Sequence, residues 1–453
     1  MNAVILFTRV PEAGTTKTRL MPYFNKYECE KLQTAMLKDI YIQCKIAGAD
    51  IFISYTPEDK EDRLYQILGD KCKCFLQKGD GLGERMYNAF KYVFAKGYKS
   101  CVLIGSDIPM LTANDIKEGF RQLKYNELVF GKTADGGYYL TGMKKPVRDV
   151  FDIEAENGKK SAYGHSRVWE NTFSRLKAKG FKIGYTKTLH DIDLKSDINY
   201  HISMMRSIKK LQKTNTGKYL LKKRRISVII PVYNEGKNIR NFLNQLNTLY
   251  GKCEIIFVDG GSNDDTKDIL NSCNCGRYKV LSSPKGRAFQ MNEGAKASCG
   301  DILFFLHCDS ELPDKVPEHI RYVMKDFEAG CFGIAFRSKN PLMLICRIIS
   351  NHRIKDRKVM FGDQGIFIDR ELFFKAGKFP EIPIMEDYGF SLTLKEMGIR
   401  LGIAKKRIYT SERRFPDGNY DKLRLMWKMN RLRKMYRDGI DVNIISSLYR
   451  DMR

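Results

Sequence analysis

One stretch of the sequence, residues 301–313, joins an apolar run to side chains that can bind a cation. The run Ile302–Leu306 ends in His307, Cys308 and Asp309. This pattern predicts a buried strand whose carboxyl end delivers an imidazole and a carboxylate into a crevice. A carboxylate there can share a divalent cation with the phosphates of a bound ligand. Taken alone, the pattern is also typical of a central strand that ends in a solvated turn, so the neighbouring motifs decide.

Other polar groups in the second half of the chain also follow predicted strands. Pro231, Asn234 and Glu235 stand at the end of the first such strand, and Asp259 and Gly260 at the end of the second. Ligands of open α/β sheets bind beyond the carboxyl ends of the strands. Asp259 is suited to hydrogen-bonding a base or ribose edge, while Gly260 lets the backbone approach closely.

Three further motifs of this half carry charge. Arg287 can pair with phosphate oxygens. Glu386 and Asp387 open a predicted helix, where a carboxylate can take the proton of an attacking hydroxyl. A carboxylate at this position is also explained by the helix dipole alone. Arg413 and Arg414 follow a predicted strand and bring two guanidinium groups within reach of a pyrophosphate.

The first half begins with a polar loop after its first predicted strand. Gly14, Lys17 and Arg19 belong to the stretch GTTKTRL, whose glycine, hydroxyls and cations suit a loop wrapped around phosphates. An ordinary polar strand-to-helix loop remains the alternative. The stretch is not a P-loop, because the second glycine and the GK[ST] order are missing.

Carboxylates recur at strand ends of the first half. Asp107 ends a later strand and is placed like Asp309 in the second half. Asp191 and Asp193 alternate in an extended stretch, which puts both carboxylates on the same face. We expect these three aspartates to face a metal ion.

Strands and helices alternate throughout, which predicts an α/β fold with two mostly parallel, doubly wound sheets. The boundaries expected are one domain at 1–200, a basic linker at 201–225, and a second domain at 226–453 with a C-terminal helical extension. Both halves share the order strand, glycine-containing loop, helix, strand, and a later acidic strand end, which indicates two related folds in tandem. The predicted helices include Glu28–Ile46, Leu82–Phe94, Ala113–Leu123, Ser161–Lys179, Asn238–Leu249, Asp264–Leu270 and Met291–Ala297.

Composition bounds the class of protein. The 453 residues exceed one ordinary core, and 43% hydrophobic residues describe a folded chain. No apolar run long enough for a spanning helix occurs, and the amino terminus is typical of a first strand, not of a signal peptide. Without a secretion signal, the twelve cysteines are expected to be reduced thiols of a cytoplasmic protein.

The net charge of +26 leaves several partners open. No nucleic-acid-binding module is recognisable, so no nucleic-acid partner is expected. The basic segments Lys209–Arg225 and Lys428–Arg437 suit a peripheral contact with the inner membrane face. A solvated basic surface is the alternative. The sequence does not define an oligomeric state.

The second half carries the motifs IIPVYNE, EIIFVDGGSNDDT, GRAFQMNEGA, DILFFLHCDS, FGDQGIF, PIMED and SERRF in this order. Residues 226–437 thereby resemble family 2 glycosyltransferases of the GT-A fold, and most closely the small branch assigned to arsenosugar biosynthesis. The resemblance implies a nucleotide-sugar donor, a small hydroxylated acceptor and a divalent cation, magnesium or manganese.

The resemblance also implies individual roles. Asp259 contacts the nucleotide, Asp387 is the base of an inverting displacement, and Arg413 and Arg414 replace the family's aromatic-tipped basic motif. His307 and Asp309 form the metal-facing corner. The family commonly has an aspartate at position 307, and the loss of one hard oxygen ligand implies weak magnesium binding or a preference for manganese.

The first half carries FTRVPEAGTTKTRL, GDGLGERM, IGSDIPMLT, TADGGYYLTG and DIDLKSDI. Residues 3–200 resemble uncharacterised GT-A-like proteins that are similar to phospholactate and molybdenum-cofactor guanylyltransferases. The chain departs from that pattern at Lys132, where proline is usual, and at 161–164, where a tryptophan-containing turn is usual.

These features together favour a two-domain enzyme whose second half transfers a sugar. The first half would activate a sugar phosphate or make a second glycosyl transfer. One alternative is that nucleotidyl transfer by the first half is the principal activity. Another is a non-catalytic basic module that docks on a membrane or on nucleic acid, although the acidic strand ends would repel polyanions from the crevice.

Overall fold

The computed structural model describes residues 1–69, 72–152, 168–338, 340–410 and 418–450. The chain forms two compact units, Met1–Leu221 and Lys222–Arg453. No helix among these residues is both long enough and apolar enough to cross a membrane.

The first unit is built on a seven-stranded sheet of order β3-β2-β1-β4-β6-β5-β7, in which only β6 runs antiparallel to its neighbours. Its strands are β1 (Asn2–Arg9), β2 (Asp50–Thr56), β3 (Lys73–Leu76), β4 (Ser100–Gly105), β5 (Leu128–Lys132), β6 (Tyr138–Met143) and β7 (Ile183–Tyr185). Alternate residues of β1 enter two separate cores: Val4 and Leu6 pack in one, and Ala3 and Ile5 in the other. This alternation explains why helices cover both faces.

The helices of the first unit are α1 (Lys26–Ala47), α2 (Glu61–Leu68), α3 (Leu82–Phe94), α4 (Ala113–Gln122), α5 (Val168–Ala178), α6 (Lys195–Ser207) and α7 (Asn215–Lys223). The long helix α1 begins where Asn25 and Glu28 form a reciprocal capping box, and it ends at Gly48 in the left-handed conformation. Both signals are visible in the sequence.

The second unit has an eight-stranded sheet of order β10-β9-β8-β11-β14-β13-β15-β12. Its strands are β8 (Ile226–Val232), β9 (Glu254–Asp259), β10 (Lys279–Ser282), β11 (Ile302–Phe305), β12 (Ser310–Glu311), β13 (Ala329–Ala335), β14 (Ile366–Asp369) and β15 (Leu401–Thr410). Its helices are α8 (Gly236–Gln245), α9 (Thr266–Ser272), α10 (Arg287–Ala297), α11 (Val316–Val323), α12 (Pro341–Asp356), α13 (Arg370–Lys375), α14 (Glu386–Glu396), α15 (Asn419–Arg437) and α16 (Val442–Arg450).

The two sheets share one topology. With the edge strand β12 left aside, the seven remaining strands of the second sheet stand in the same relative order as those of the first. Strand β14 takes the place of β6, and each runs antiparallel to the strand before it in the sheet. The predicted α/β fold class with two tandem, mostly parallel GT-A-like sheets is confirmed.

The segment predicted as a linker differs from the expectation. Residues 201–221 lie in the first compact unit, and Leu220 and Leu221 are buried with Phe24 in one of its cores. The buried carboxylate of Asp39 accepts the backbone N–H groups of Asn215 and Thr216, which begins α7 on the body of the unit. The many basic residues of this segment favour a linker in the sequence, but its few leucines are enough to pack a helix onto the first unit.

Several local predictions also differ from the structure. The sequence of residues 135–139 predicts a flexible acidic turn. Residues 134–137 do form a turn, but Tyr138 and Tyr139 already belong to β6, which lies between β4 and β5. Helix α10 begins at Arg287, four residues earlier than predicted, so this arginine stands on the first turn of a helix. Residues 161–164 and the start of the predicted helix around them lie outside the described residues.

Candidate functional site

A glutamine fixes the strand ends of the second unit. Gln290 donates from Nε2 to the carbonyl oxygens of Val232, at 2.7 Å, and Val258, at 2.8 Å. The Gly260 N–H also binds the Val232 oxygen, at 3.0 Å. A Cβ at Gly260 would lie 3.0 Å from the Gln290 amide carbon, so a side chain at this position would press on the amide that holds the strand ends. Sequence reasoning did not select Gln290, although it lies within the quoted motif GRAFQMNEGA.

The first two strand-end carboxylates are held by their own loops. Asp259 is 2% exposed and accepts hydrogen bonds from the N–H groups of Gly261 and Ser262, each at 3.2 Å. Glu235 accepts from Asn238 Nδ2 at 2.9 Å. Asn234 is exposed with φ 53°, a left-handed conformation that asparagine tolerates. These contacts order the loop beyond β8 and β9 at the edge where ligands bind in this architecture.

An ion pair joins two of the predicted site residues. Arg287 Nη1 lies 3.1 Å from Glu386 Oε1, and Glu386 is 4% exposed. Burial raises the pKa of Glu386, Arg287 opposes that effect, and Asp387 adds to it. Burial alone would lower the pKa of Arg287, but Glu386, Asp387 and Asp309 raise it above its usual range. Negative charge from three carboxylates thus converges on one guanidinium.

Asp387 is held at the start of α14. Its Oδ2 accepts the Gly362 N–H at 2.7 Å, and its Oδ1 accepts the N–H of Tyr388 at 2.7 Å. The residue before the helix, Met385, has φ 70°, which is unusual outside glycine and aims the first turn. A Cβ at Gly362 would lie 2.8 Å from the His307 ring, so the imidazole is next to the loop that holds Asp387.

In the second unit, His307 and Asp309 are the residues expected to face a metal. His307 lies next to the loop that holds Asp387, and Asp309 lies near Arg287. His307 is buried, and Asp309 is half-buried and acts electrostatically on Arg287. Over the described ranges, three or more potential metal ligands cluster only in the first unit. Arg413 and Arg414 lie outside the described residues. Pro231 stands within β8, half-buried, next to the strand end.

The first unit brings its predicted groups together around a buried cation. Lys17 Nζ lies 2.7 Å from Asp193 Oδ1 and 3.5 Å from Asp107 Oδ2, and Arg19 Nη1 lies 3.4 Å from Asp193 Oδ2. Burial favours the neutral amine, yet Asp107 and Asp193 raise the pKa of Lys17. Lys17 has φ 50°, while Gly14 is exposed with φ 95°. The loop thus folds its lysine inward.

Asp191 completes this acidic group. One ligand oxygen from each of Asp107, Asp191 and Asp193 lies within 4.8 Å of the others. Burial, followed by the charges of Asp107, Asp135 and Asp193, raises the pKa of Asp191 to about 7. A cation would remove that repulsion, so the donor set fits a hard divalent ion.

A cavity of about 550 Å³ opens beside this cluster. Arg85 and Tyr138 line it together with Lys17, Asp107 and Asp193. Across its floor, Gln77 donates from Nε2 to the carbonyl oxygens of Thr8, at 3.1 Å, and Ser54, at 2.9 Å. Cations, acceptors and an aromatic ring around one cavity suit a phosphorylated, ring-containing ligand.

Fold and site together define a class: an α/β transferase domain whose strand-end carboxylates and basic side chains suit a nucleotide-linked substrate. Residues 227–370 match the model for glycosyl transferase family 2. Residues 42–154 match a model described as an uncharacterized protein conserved in bacteria. The chain is a two-domain enzyme whose second half is a family 2 glycosyltransferase domain.

Relatives support the same domain. An uncharacterized glycosyltransferase of Haemophilus influenzae is 28% identical over 186 residues, which cover 38% of this chain and 72% of that protein. The poly-beta-1,6-N-acetyl-D-glucosamine synthase of Staphylococcus epidermidis is 26% identical over 141 residues, which cover 30% of this chain and only 31% of the synthase.

Two solved structures are similar to parts of this chain. A protein of Desulfovibrio desulfuricans assigned as a nucleotide-diphospho-sugar transferase is 26% identical, with a TM-score of 0.45, over 48% of this chain and 93% of that one. A mannosyltransferase of Pyrobaculum calidifontis, solved with GDP-Man and Mn²⁺, is 19% identical, with a TM-score of 0.36, over 55% of this chain and 80% of that one.

Proposed function

We propose that the second unit transfers a sugar from a nucleotide-sugar donor to a small hydroxylated acceptor with inversion. The observation that carries this proposal is the convergence of Glu386, Asp387 and Asp309 on Arg287 beyond the strand ends. Arg287 pairs with the donor's diphosphate. Asp259 and Gly260 lie at the adjoining strand end, where the nucleotide would bind.

Asp387 is the proposed base. An acceptor oxygen forms the new bond to the anomeric carbon, the bond from that carbon to the diphosphate oxygen breaks, and Asp387 takes the hydroxyl proton. The two backbone N–H groups that donate to Asp387 fix the position of its carboxylate. Glu386 is buried against Arg287, which favours a positioning role over proton transfer for this residue.

A divalent cation, magnesium or manganese, fits beside Asp309. The His307 imidazole and the Asp309 carboxylate supply at most two protein ligands, and the donor's phosphate oxygens and water would complete the shell. Such a cation would offset the charge that develops on the leaving nucleoside diphosphate. The narrower resemblance to the arsenosugar-biosynthesis branch remains a prediction about the acceptor.

For the first unit we propose nucleotide binding in the cavity beside Lys17. Lys17 and Arg19 would contact phosphates, and Asp107, Asp191 and Asp193 would hold a divalent ion. This arrangement suits activation of a sugar phosphate or a second glycosyl transfer. Nucleotidyl transfer as the principal activity is the second candidate function, favoured by the buried lysine within an acidic cluster.

We also propose a peripheral membrane contact of a cytoplasmic protein, through two helices of the second unit. Helix α12 exposes Leu344, Ile345, Ile348 and Ile349, and α15 exposes Leu423 and Trp427 among basic residues. Asn340 Nδ2 donates to Asn419 Oδ1 at 2.7 Å, which joins the starts of the two helices. Apolar side chains with surrounding cations suit an anionic lipid surface.

A thermal-shift screen of the full chain tests the assignment of donor and domain. Nucleoside diphosphates, their sugars and nucleoside triphosphates are compared with and without Mn²⁺. We expect a metal-dependent shift with a diphosphate or its sugar that Asp309→Ala abolishes. A shift only with a triphosphate, removed by Lys17→Ala and retained in Asp309→Ala, would show that the first unit carries the principal activity.

A further inference from the structure

Two arginines of the second unit, outside the groups described above, lie against one aromatic ring. The guanidinium carbons of Arg353, on α12, and Arg433, on α15, lie 5.2 Å and 4.7 Å from the centroid of Phe361. Nearly eighty residues separate the two arginines in the chain, so the fold, not local sequence, brings them together. The sequence indicates Arg433 only as part of the basic segment Lys428–Arg437, and it does not single out Arg353.

No carboxylate among the described residues forms an ion pair with either guanidinium, although Asp363 acts electrostatically on both. Arg353 Nη2 donates to Ser350 Oγ and Arg433 Nη1 donates to Asn430 Oδ1, each at 2.9 Å. Both partners are neutral. The Nε atoms of both arginines are buried and lack a hydrogen-bond partner within the part of the chain that the structure describes. Contact with a ring attracts a cation but does not satisfy these donors.

Burial works against the charge of both arginines. Burial, followed by the charge of Arg353, lowers the pKa of Arg433 to about 10, and burial also lowers the pKa of Arg353. Asp363 opposes the shift at both arginines. Two like charges withdrawn from water with orphaned donors are typical of a site that binds an anion.

The pair also adjoins the proposed base. Phe361 precedes Gly362, whose N–H holds Asp387, and the charge of Asp387 acts on both Arg433 and Arg287. An anion bound by Arg353 and Arg433 would therefore place the rest of its molecule beside Asp387. Arg287 already provides a cation for the donor diphosphate.

We propose that Arg353 and Arg433 bind an oxyanion, a phosphate or carboxylate group, carried by the acceptor. The inference rests on the proposed function, because it takes Asp387 as the base and Arg287 as the donor-side cation. Guanidinium groups suit this chemistry, since their paired N–H donors match the oxygens of phosphate and carboxylate.

Calorimetric titration of the full chain with inorganic phosphate, at saturating nucleoside diphosphate and Mn²⁺, tests the proposal. We expect phosphate to bind alongside the nucleotide, and Arg433→Gln to weaken it at least about tenfold. Arg431→Gln, on the exposed side of the same helix, is the matched control and should bind phosphate normally. Arg353→Lys provides a second variant that keeps the charge but loses the paired donors.

Nucleotide binding by each variant separates the possible failures. Phosphate binding that the nucleotide abolishes, or that Arg433→Gln leaves unchanged, would overturn the inference. Nucleotide binding that survives Asp309→Ala would overturn the donor site instead, and the phosphate result could still be read. Glycerol 3-phosphate and vesicles containing phosphatidic acid then identify a soluble or a lipid source, and either one, if sensitive to Arg433→Gln, supports the oxyanion site.

Discussion

Removing the cation from the Arg287–Glu386 pair should destabilise the second unit in a pH-dependent way. Arg287→Met leaves the carboxyl of Glu386, 4% exposed, without the guanidinium that lies 3.1 Å from it. A buried carboxyl in that position takes up a proton instead of remaining charged. The pKa of Glu386, already raised by burial, should then rise further.

The magnitude follows from the ordinary pKa of 4.5 for a glutamate. Protonating such a group costs about 1.4 kcal/mol per pH unit above its pKa, so the loss at pH 7 approaches about 3 kcal/mol. Because the folded-state pKa exceeds the unfolded one, the penalty is present above the unfolded pKa and fades as the pH falls. At pH 5 it should be under about 1 kcal/mol.

Urea denaturation followed by tryptophan fluorescence measures this loss. The chain has two tryptophans, and in a Trp169→Phe background Trp427 reports on the second unit. The double variant Arg287→Met with Glu386→Gln removes both charges and should recover most of the stability at pH 7. Nucleoside diphosphate binding should stay impaired in that double variant, because Arg287 is then still missing from the donor site.

Two outcomes would refute this reasoning. If Arg287→Met is as stable as the parent at pH 7, the carboxyl of Glu386 does not depend on the arginine. If the double variant also recovers full nucleotide binding, Arg287 only neutralises Glu386 and does not contact the donor.

Three further changes give separate readouts. Asp387→Asn should lower the transfer rate about 10²–10⁴-fold, measured as nucleoside diphosphate release, and leave nucleotide binding intact, because the amide oxygen still accepts one of the two backbone N–H groups. His201 is buried, and burial lowers its pKa to about 4. The free energy of unfolding of the first unit should therefore fall by about 2 kcal/mol between pH 7 and pH 5, because only the unfolded imidazole gains a proton in this range. His201→Gln should remove this pH dependence in urea titrations followed by the fluorescence of Trp169. Asp39→Ala should cost the first unit about 2 kcal/mol by orphaning the first N–H groups of α7, whereas Lys31→Ala, exposed on α1, should cost almost nothing.

The parts of the fold that sequence predicts best are those with a local signal. Helix α1 has its capping box and terminal glycine, and β8, β9 and β11 are apolar runs that end in polar groups. The sequence does not predict β6, because the turn signal of Asp135 and the glycines after it outweighs the short run that follows. Helix α7 falls in the predicted linker, because the contact that fixes it is made by Asp39, which is distant in sequence.

The candidate site also contains some contacts that the sequence predicts and others that it does not. Lys17, Asp107 and Asp193 follow strands and could be grouped in advance, because parallel strands end at one edge of the sheet. The pairing of Arg287 with Glu386 could not, since it joins helices about a hundred residues apart. Arg353 has no motif around it and Arg433 lies in a uniformly basic segment, so only the fold shows that they share one ring.

The registers of the two sheets give a residue-level correspondence between the units. Gln77 bridges the ends of β1 and β2 as Gln290 bridges those of β8 and β9, so Thr8 corresponds to Val232. Counting along the paired strands from there makes Asp107 the counterpart of Asp309.

The same count places Tyr55 opposite Thr8 in the first unit, where the second unit has Asp259 opposite Val232. The units therefore share the acidic residue expected to face the metal but not the carboxylate expected to contact the nucleotide. The Asp259 carboxylate would accept hydrogen bonds from a base or ribose with two charged oxygens, and the single neutral hydroxyl of a tyrosine does not offer the same acceptors. A nucleotide in the first unit would therefore have to be held by other groups. In the nucleotide site proposed for the first unit, the buried Lys17 on the loop after β1 would supply such a difference through the phosphates.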